Sequence, residues 1–236
     1  MLVAAAVCPH PPLLVPEAMG AAGLARGGAI GEVLAACDAA VAGLAASRPD
    51  RIVVVGGAET SAVYDGSAAG SLREYGVRFA VGTGEPVLPL SLTVGSWLLR
   101  RSGPAAVPAA LRAVARATPV AECLRLGGEI AREAPRVAVL AMGDGSARRA
   151  AARVEGAADP EAERYDAEVA VALAEADPAR LARLAPSLDD ELLVAGRAAW
   201  QVLAGAADGR RLRGRLRCAV AQYEVSYLVA SWEACG

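Results

Sequence analysis

The chain has little of what proteins most often use to move protons or hold metals. It contains one histidine, His10, and no lysine; all 24 basic residues are arginine. A single imidazole cannot supply a two-histidine metal site within one copy of the chain. A Ser–His–Asp system would have only His10 as its base. Any chemistry falls to carboxylates, arginines, backbone amides, thiols and that one imidazole. Aromatic residues make up only 4% of the chain, so core volume has to come from Leu, Val and Ala. No Cys-x-x-Cys occurs. The five cysteines, Cys8, Cys37, Cys123, Cys218 and Cys235, are odd in number and far apart, which is the pattern of reduced thiols in a cytoplasmic protein. No basic run precedes the first apolar residues, and Pro, His and Glu interrupt them before a bilayer-spanning length is reached. Neither a signal peptide nor a membrane segment is expected. A net charge of −2 offers no positive field for nucleic acid. Arginine in place of lysine, with abundant Ala and Gly, reads as GC-rich coding and carries no functional meaning.

At 236 residues the chain can bury one sizeable core, and no repeat or low-complexity linker divides it. Three continuous apolar runs stand out: residues 2–7 (Leu-Val-Ala-Ala-Ala-Val), 51–56 (Arg-Ile-Val-Val-Val-Gly) and 136–141 (Arg-Val-Ala-Val-Leu-Ala). Each reads as a buried strand. Ile30, Val33, Leu34, Cys37, Val41 and Leu44 recur at helical spacing, so the first two strands flank a helix and are expected to be parallel. Further helices are predicted over 90–101, 120–134, 160–176, 178–184 and from Pro186 through Leu203, with Ser187 or Asp189 as a cap for the last. A strand is predicted over 77–81, and two β segments around Gln222. The expectation is a single α/β domain over 1–236, with a central mixed, mainly parallel sheet and helices on both faces.

The three apolar runs end in segments rich in functional groups: Cys8-Pro9-His10, Gly56-Gly57-Ala58-Glu59-Thr60-Ser61 and Gly143-Asp144-Gly145-Ser146. Open parallel sheets bind ligands just outside the carboxyl ends of their strands. His10, Glu59, Asp144 and Ser146 are therefore pocket candidates, and Glu224, between two β segments, is a later one. Each also has a plainer reading: His10 satisfying a turn between prolines, Glu59 a solvated loop acid, Asp144 an Asx-turn, Glu224 an edge-strand surface residue. Glycines in the second and third segments would let backbone amides approach a ligand. Gly56-Gly57 is too short for a dinucleotide fingerprint. Cys8 beside His10 is a weak thiolate pair, and Arg148-Arg149 is either an anion holder or a solvated pair.

The order of these segments, with Ala195-Gly196-Arg197 on a later helix and Tyr223-x-x-x-Tyr227 near the end, resembles the class III extradiol ring-cleavage dioxygenase superfamily. Within it the chain is most similar to the LigB-like and MEMO-like branch, and there to the alanine-rich actinobacterial proteins of the B-subunit type. The resemblance implies an α/β fold whose active members hold non-haem Fe(II) through two histidines and a carboxylate, with a further histidine as acid/base. His10 matches the first ligand. The second histidine is missing, with Glu59 the nearest metal-competent side chain. Asp144 is retained, Ala147 stands where the acid/base histidine belongs, and Ala195 replaces a thiol. Glu224 is the best match to the late carboxylate. The resemblance thus implies a retained scaffold with a degenerate metal site, and no cofactor is expected. The function expected first is binding of a small-molecule ligand or a partner in the old pocket. One alternative is a metal-dependent enzyme holding Fe, Mn or Zn through His10, Glu59 and Glu224. The other is an interaction protein, in a homo-oligomer or beside a partner that brings the catalytic groups.

Overall fold

The computed structural model describes residues 1–18, 28–103, 110–148, 159–222 and 225–235. Among these the elements run β1 (Leu2–Cys8), α1 (Ala29–Ala46), β2 (Arg51–Ala58), β3 (Ala62–Asp65), β4 (Ala68–Ser71), β5 (Ala80–Val81), β6 (Thr83–Pro86), α2 (Leu90–Arg101), β7 (Ala110–Ala115), α3 (Val120–Ile130), β8 (Val137–Met142), α4 (Pro160–Glu175), α5 (Pro178–Ala182), α6 (Leu188–Glu191), α7 (Arg197–Ala206), β9 (Leu212–Gln222) and β10 (Val225–Ala234).

Seven strands form one sheet in the order β3-β7-β2-β8-β1-β10-β9. The four central strands, β7, β2, β8 and β1, are mutually parallel. β3 closes one side and β10 with β9 the other, all antiparallel. β1 and β8 are buried along their whole lengths, as expected of strands covered on both faces. One face packs under α1 and α2, with Cys37, Val41, Leu92 and Leu98 against Ala4, Val54 and Leu140. The other packs under α3, α4, α5 and α7, with Cys123, Tyr165, Leu181 and Trp200 against Val53, Val139 and Trp232. The protein is a single α/β domain with a mixed sheet, parallel at its centre. β5, β4 and β6 make a separate three-stranded sheet.

Local signals account for several boundaries. Pro160 and Pro178 sit in the first turns of α4 and α5, where proline needs no donor, and each follows an aspartate cap. Asp159 accepts from the amides of Glu161 and Ala162, and Asp177 from that of Arg180. α1 is apolar and long enough, by composition, to cross a bilayer. Here Ile30, Val33, Cys37, Val41 and Leu44 are buried in the core.

The structure departs from the sequence expectations in six places. The strand expected at 77–81 shrinks to Ala80–Val81, and the glycine-bearing stretch after Gly56 contains β3 and β4. β7, an alanine-rich run, is a strand the periodicity did not reveal. α3 ends at Ile130, five residues before Pro135. The long helix expected from Pro186 to Leu203 is two helices, broken where Leu193 takes φ +51°. Ser187 makes no cap bond, and Asp189 turns inward to Arg197 instead.

Candidate functional site

Register brings the predicted strand ends together. Cys8 of β1 and Gly56 of β2 both pair with Met142 of β8, so the three strands finish in one row. The β1–β8 pairing continues one step beyond the strands, where the amide of Gly143 donates to the Cys8 carbonyl at 2.9 Å. Two residues past the row on each side stand His10 and Asp144. The backbone N–H of His10 donates to Asp144 Oδ1 at 2.8 Å. The imidazole Nε2 lies 3.6 Å from Asp144 Oδ2. Both side chains are largely buried, 9% and 14% exposed. Nδ1 of His10 is buried with no hydrogen-bond partner. At 3.6 Å the Nε2 contact is not a hydrogen bond; in a neutral ring protonated at Nε2, Nδ1 is a hydrogen-bond acceptor.

The loop before α7 closes this edge. The amide of Ala195 donates to the Asp144 carbonyl at 3.3 Å, and that of Val194 to the Asp189 carbonyl at 2.9 Å. Its approach explains the glycines. A Cβ on Gly143 would lie 2.5 Å from Gly196 Cα and 2.8 Å from Trp200 Nε1, and one on Gly57 2.9 Å from the Ala195 carbonyl. The amides of Gly143 and Gly145 are bonded to the carbonyls of Cys8 and Ser226. These glycines admit neighbouring backbone and side chains, so the expected amide cradle for a ligand is not formed by Gly143 or Gly145.

The remaining candidates are distributed unevenly. Ser146 is buried, its hydroxyl donating to the Leu192 carbonyl at 2.6 Å and accepting from the Arg148 amide at 3.0 Å. Its amide donates to Asp166 Oδ1. Ser146 thus braces the α7 loop and has no hydroxyl proton left for a ligand. Glu59 is exposed one residue past β2, and no hydrogen bond or ion pair joins it to His10 or Asp144. Glu224 and Arg149 lie outside the described residues. Arg148 donates to the Glu191 carbonyl and stands 3.6 Å from Asp159, so it is engaged within the protein. Cys8 does not pair with His10: it is buried on the α1 face with Cys37, whose thiol is pushed up by burial and then by a hydrogen bond with Cys8.

Sequence reading missed the charged group beneath this edge. Arg197 is 1% exposed. Its guanidinium donates to Asp189 Oδ2 at 2.5 Å, to Gln201 Oε1 at 2.8 Å and to the carbonyls of Thr118 and Arg116. Burial raises the Asp189 carboxyl, opposed by its bond to Arg197. Burial likewise raises the Tyr165 hydroxyl, which has no hydrogen-bond partner. A spacing of eight residues across a helix break gives no local signal for such a pair.

The residues do not reproduce the centre that the resemblance implies. A histidine–histidine–carboxylate set needs a second imidazole, which the sequence lacks, and Asp144 Oδ1 is already bonded to the His10 amide. Among the described residues no group of three or more His, Cys, Asp or Glu side chains is placed to hold a metal ion.

No family model matches the chain, and no curated protein does. The fold is similar to the crystal structure of JW3007, an uncharacterized protein from Escherichia coli K12. The TM-score is 0.57 at 17% identity, over 98% of this chain and 100% of that one. At that identity the likeness is one of fold.

Proposed function

We propose that this chain is a class III extradiol dioxygenase-like cytoplasmic protein with a degenerate metal site, repurposed to bind a small molecule at the His10–Asp144 edge. The observation that carries the reading is the single imidazole, fixed by Asp144 at the carboxyl end of the parallel strands, with Nδ1 buried and unpartnered. A buried acceptor without a donor is costly, and a protic ligand, such as a phenol or another hydroxyl-bearing compound, supplies that donor. Ring cleavage needs more: iron held with open positions and a base to ionise the substrate. Ala147 cannot move a proton, and losing a positioned acid/base costs about 10²–10⁴ in rate.

The test uses protein purified without chelator or metal-affinity tag. Metal analysis is expected to give substoichiometric Fe, Mn and Zn. After anaerobic Fe(II) loading and exposure to air, catechol is expected to remain uncleaved. The positive arm follows the His10 ring by nitrogen-15 NMR while catechol and other phenols are added, with saturable shifts that disappear in Asp144→Ala. Steady catechol turnover abolished by His10→Ala would overturn the proposal in favour of a metal enzyme using carboxylate ligands. Ring signals unmoved by every phenol would overturn it in favour of an interaction protein that meets its partner elsewhere.

A further inference from the structure

At the opposite, amino edge of the sheet two cavities meet. One, of about 630 Å³, lies between the end of α3 and the turn after α7, with Arg132, Glu133, Asp208 and Arg210 in its wall. The other, of about 480 Å³, shares Arg210 and reaches the end of β10. The larger falls within the size range of small-molecule sites.

The cations in that wall are not used by the fold. Nε of Arg210 is buried with no hydrogen-bond partner. Among the described residues, neither Arg132 nor Arg210 has any side-chain hydrogen bond or ion pair. Glu133 does not serve them, because its two oxygens are bonded to Arg51 and Arg112. Asp208 is in the wall too, yet it forms no ion pair with either arginine. Two guanidinium groups therefore face one cavity with their donors open. What marks Arg210 is burial: its Nε and that of Arg112 are the buried guanidinium nitrogens without a partner among the described residues. Arg112 already bonds Glu133, whereas the Arg210 side chain bonds nothing. A buried guanidinium N–H left without an acceptor is unfavourable. A planar fork of donors matches the oxygens of a carboxylate or phosphate.

We propose that this cavity is an oxyanion site, which takes a small phosphate- or carboxylate-bearing molecule between Arg132 and Arg210. Asp208 in the same wall repels a second anionic group and accepts from a hydroxyl or ammonium. The favoured ligand carries its negative charge at one end and a hydrogen-bond donor beside it. The site is remote from His10 and independent of the function proposed there.

Calorimetric titration of the full chain at constant ionic strength tests this, with inorganic phosphate and citrate as separate probes and chloride as the control. The expected result is saturable, one-to-one binding of phosphate or citrate, the stronger of the two naming the class, and none of chloride. Arg132→Gln and Arg210→Gln should each weaken binding about tenfold, the loss of one charge-assisted pair. Arg101→Gln, whose guanidinium is bonded to Asp38 away from both cavities, should leave it unchanged. Arg132 is exposed, so its variant reports on the site even if the Arg210 variant fails to fold. Three results would overturn the proposal. These are no saturable binding of either probe, equal weakening by Arg101→Gln, and binding that appears only in Asp208→Asn. The last would mean that Asp208 closes on the arginines in solution.

Discussion

Replacing Arg197 with leucine removes the cation bonded to Asp189 and two donors from the carbonyls that follow β7. The pair is almost wholly enclosed, with side chains 1% and 7% exposed. Breaking a buried pair by deleting one partner costs about 3–5 kcal/mol, because the remaining charge is stranded. Domains are stable by roughly 5–15 kcal/mol, so this substitution should remove a large share. For a chain of this size it should lower the melting temperature by about 6–20 °C. The sign of the pH dependence follows from Asp189. Its carboxyl is already raised by burial in the native protein, and without Arg197 it rises further above the unfolded value. A group raised on folding favours the folded state at low pH and loses that contribution as pH rises through its folded value. The deficit of Arg197→Leu should therefore be larger at pH 8 than at pH 5. Urea unfolding followed by circular dichroism at the two pH values measures it. Adding Asp189→Leu should restore part of the loss, since no charge is then stranded. A deficit below about 1 kcal/mol at pH 8, or one equal at both pH values, would show that water or backbone already compensates Asp189 and that the reasoning is wrong.

Three other outcomes are expected. Gly143→Ala places a Cβ 2.5 Å from Gly196 Cα and should cost about 1–3 kcal/mol in urea unfolding; an unchanged midpoint would mean that the α7 loop does not press on β8. Asp144→Ala strips the acceptor from the His10 amide and should cost about 1–3 kcal/mol, with faster amide hydrogen exchange at His10 as the local readout. In a thiol titration of the folded protein, Cys235 should react first and Cys218 more slowly. Cys8, Cys37 and Cys123, which are buried, should react only on unfolding; early loss of Cys8 or Cys37 would show that α1 opens readily, and early loss of Cys123 that α3 does.

The parts of the fold written in continuous apolar runs were legible. β1, β2 and β8 fill the interior from both sides, so Val, Ala and Leu in unbroken succession mark them and place His10 and Asp144 just past their ends. β7 was not legible, because Ala-Leu-Arg-Ala-Val-Ala suits a helix as well as a strand and only the slot between β3 and β2 decides. The break at Leu193 was hidden for a related reason. Gly196 caps the second helix, but a lone glycine inside an apolar helical pattern is a weak signal. The bonds that hold the break, from the Leu192 and Leu193 carbonyls to Ser146 and Ala147 and from the Ala195 amide to Asp144, run to a distant segment. Ser146 looked like a site residue because a hydroxyl after Gly-Asp-Gly can serve a ligand or a loop equally well. Its local sequence does not show that Leu192 accepts its proton. The open arginines at the amino edge were invisible for the opposite reason: among 24 arginines, nothing in the sequence separates the paired from the unpaired.

The position of β8 between β1 and β2 has a consequence for biogenesis. A ribosome releases β1, α1 and β2 long before β8, and until then the two strands that will flank it have no shared partner. The His10–Asp144 bond spans 134 residues. At about 5–20 residues per second of synthesis, its two ends emerge roughly 7–27 s apart. During that interval the most apolar strands of the nascent chain have open edges, the condition in which chaperones engage and strands mispair. The His10–Asp144 edge therefore cannot form until β8 has emerged, and an intact contact there certifies that the central strand has been inserted.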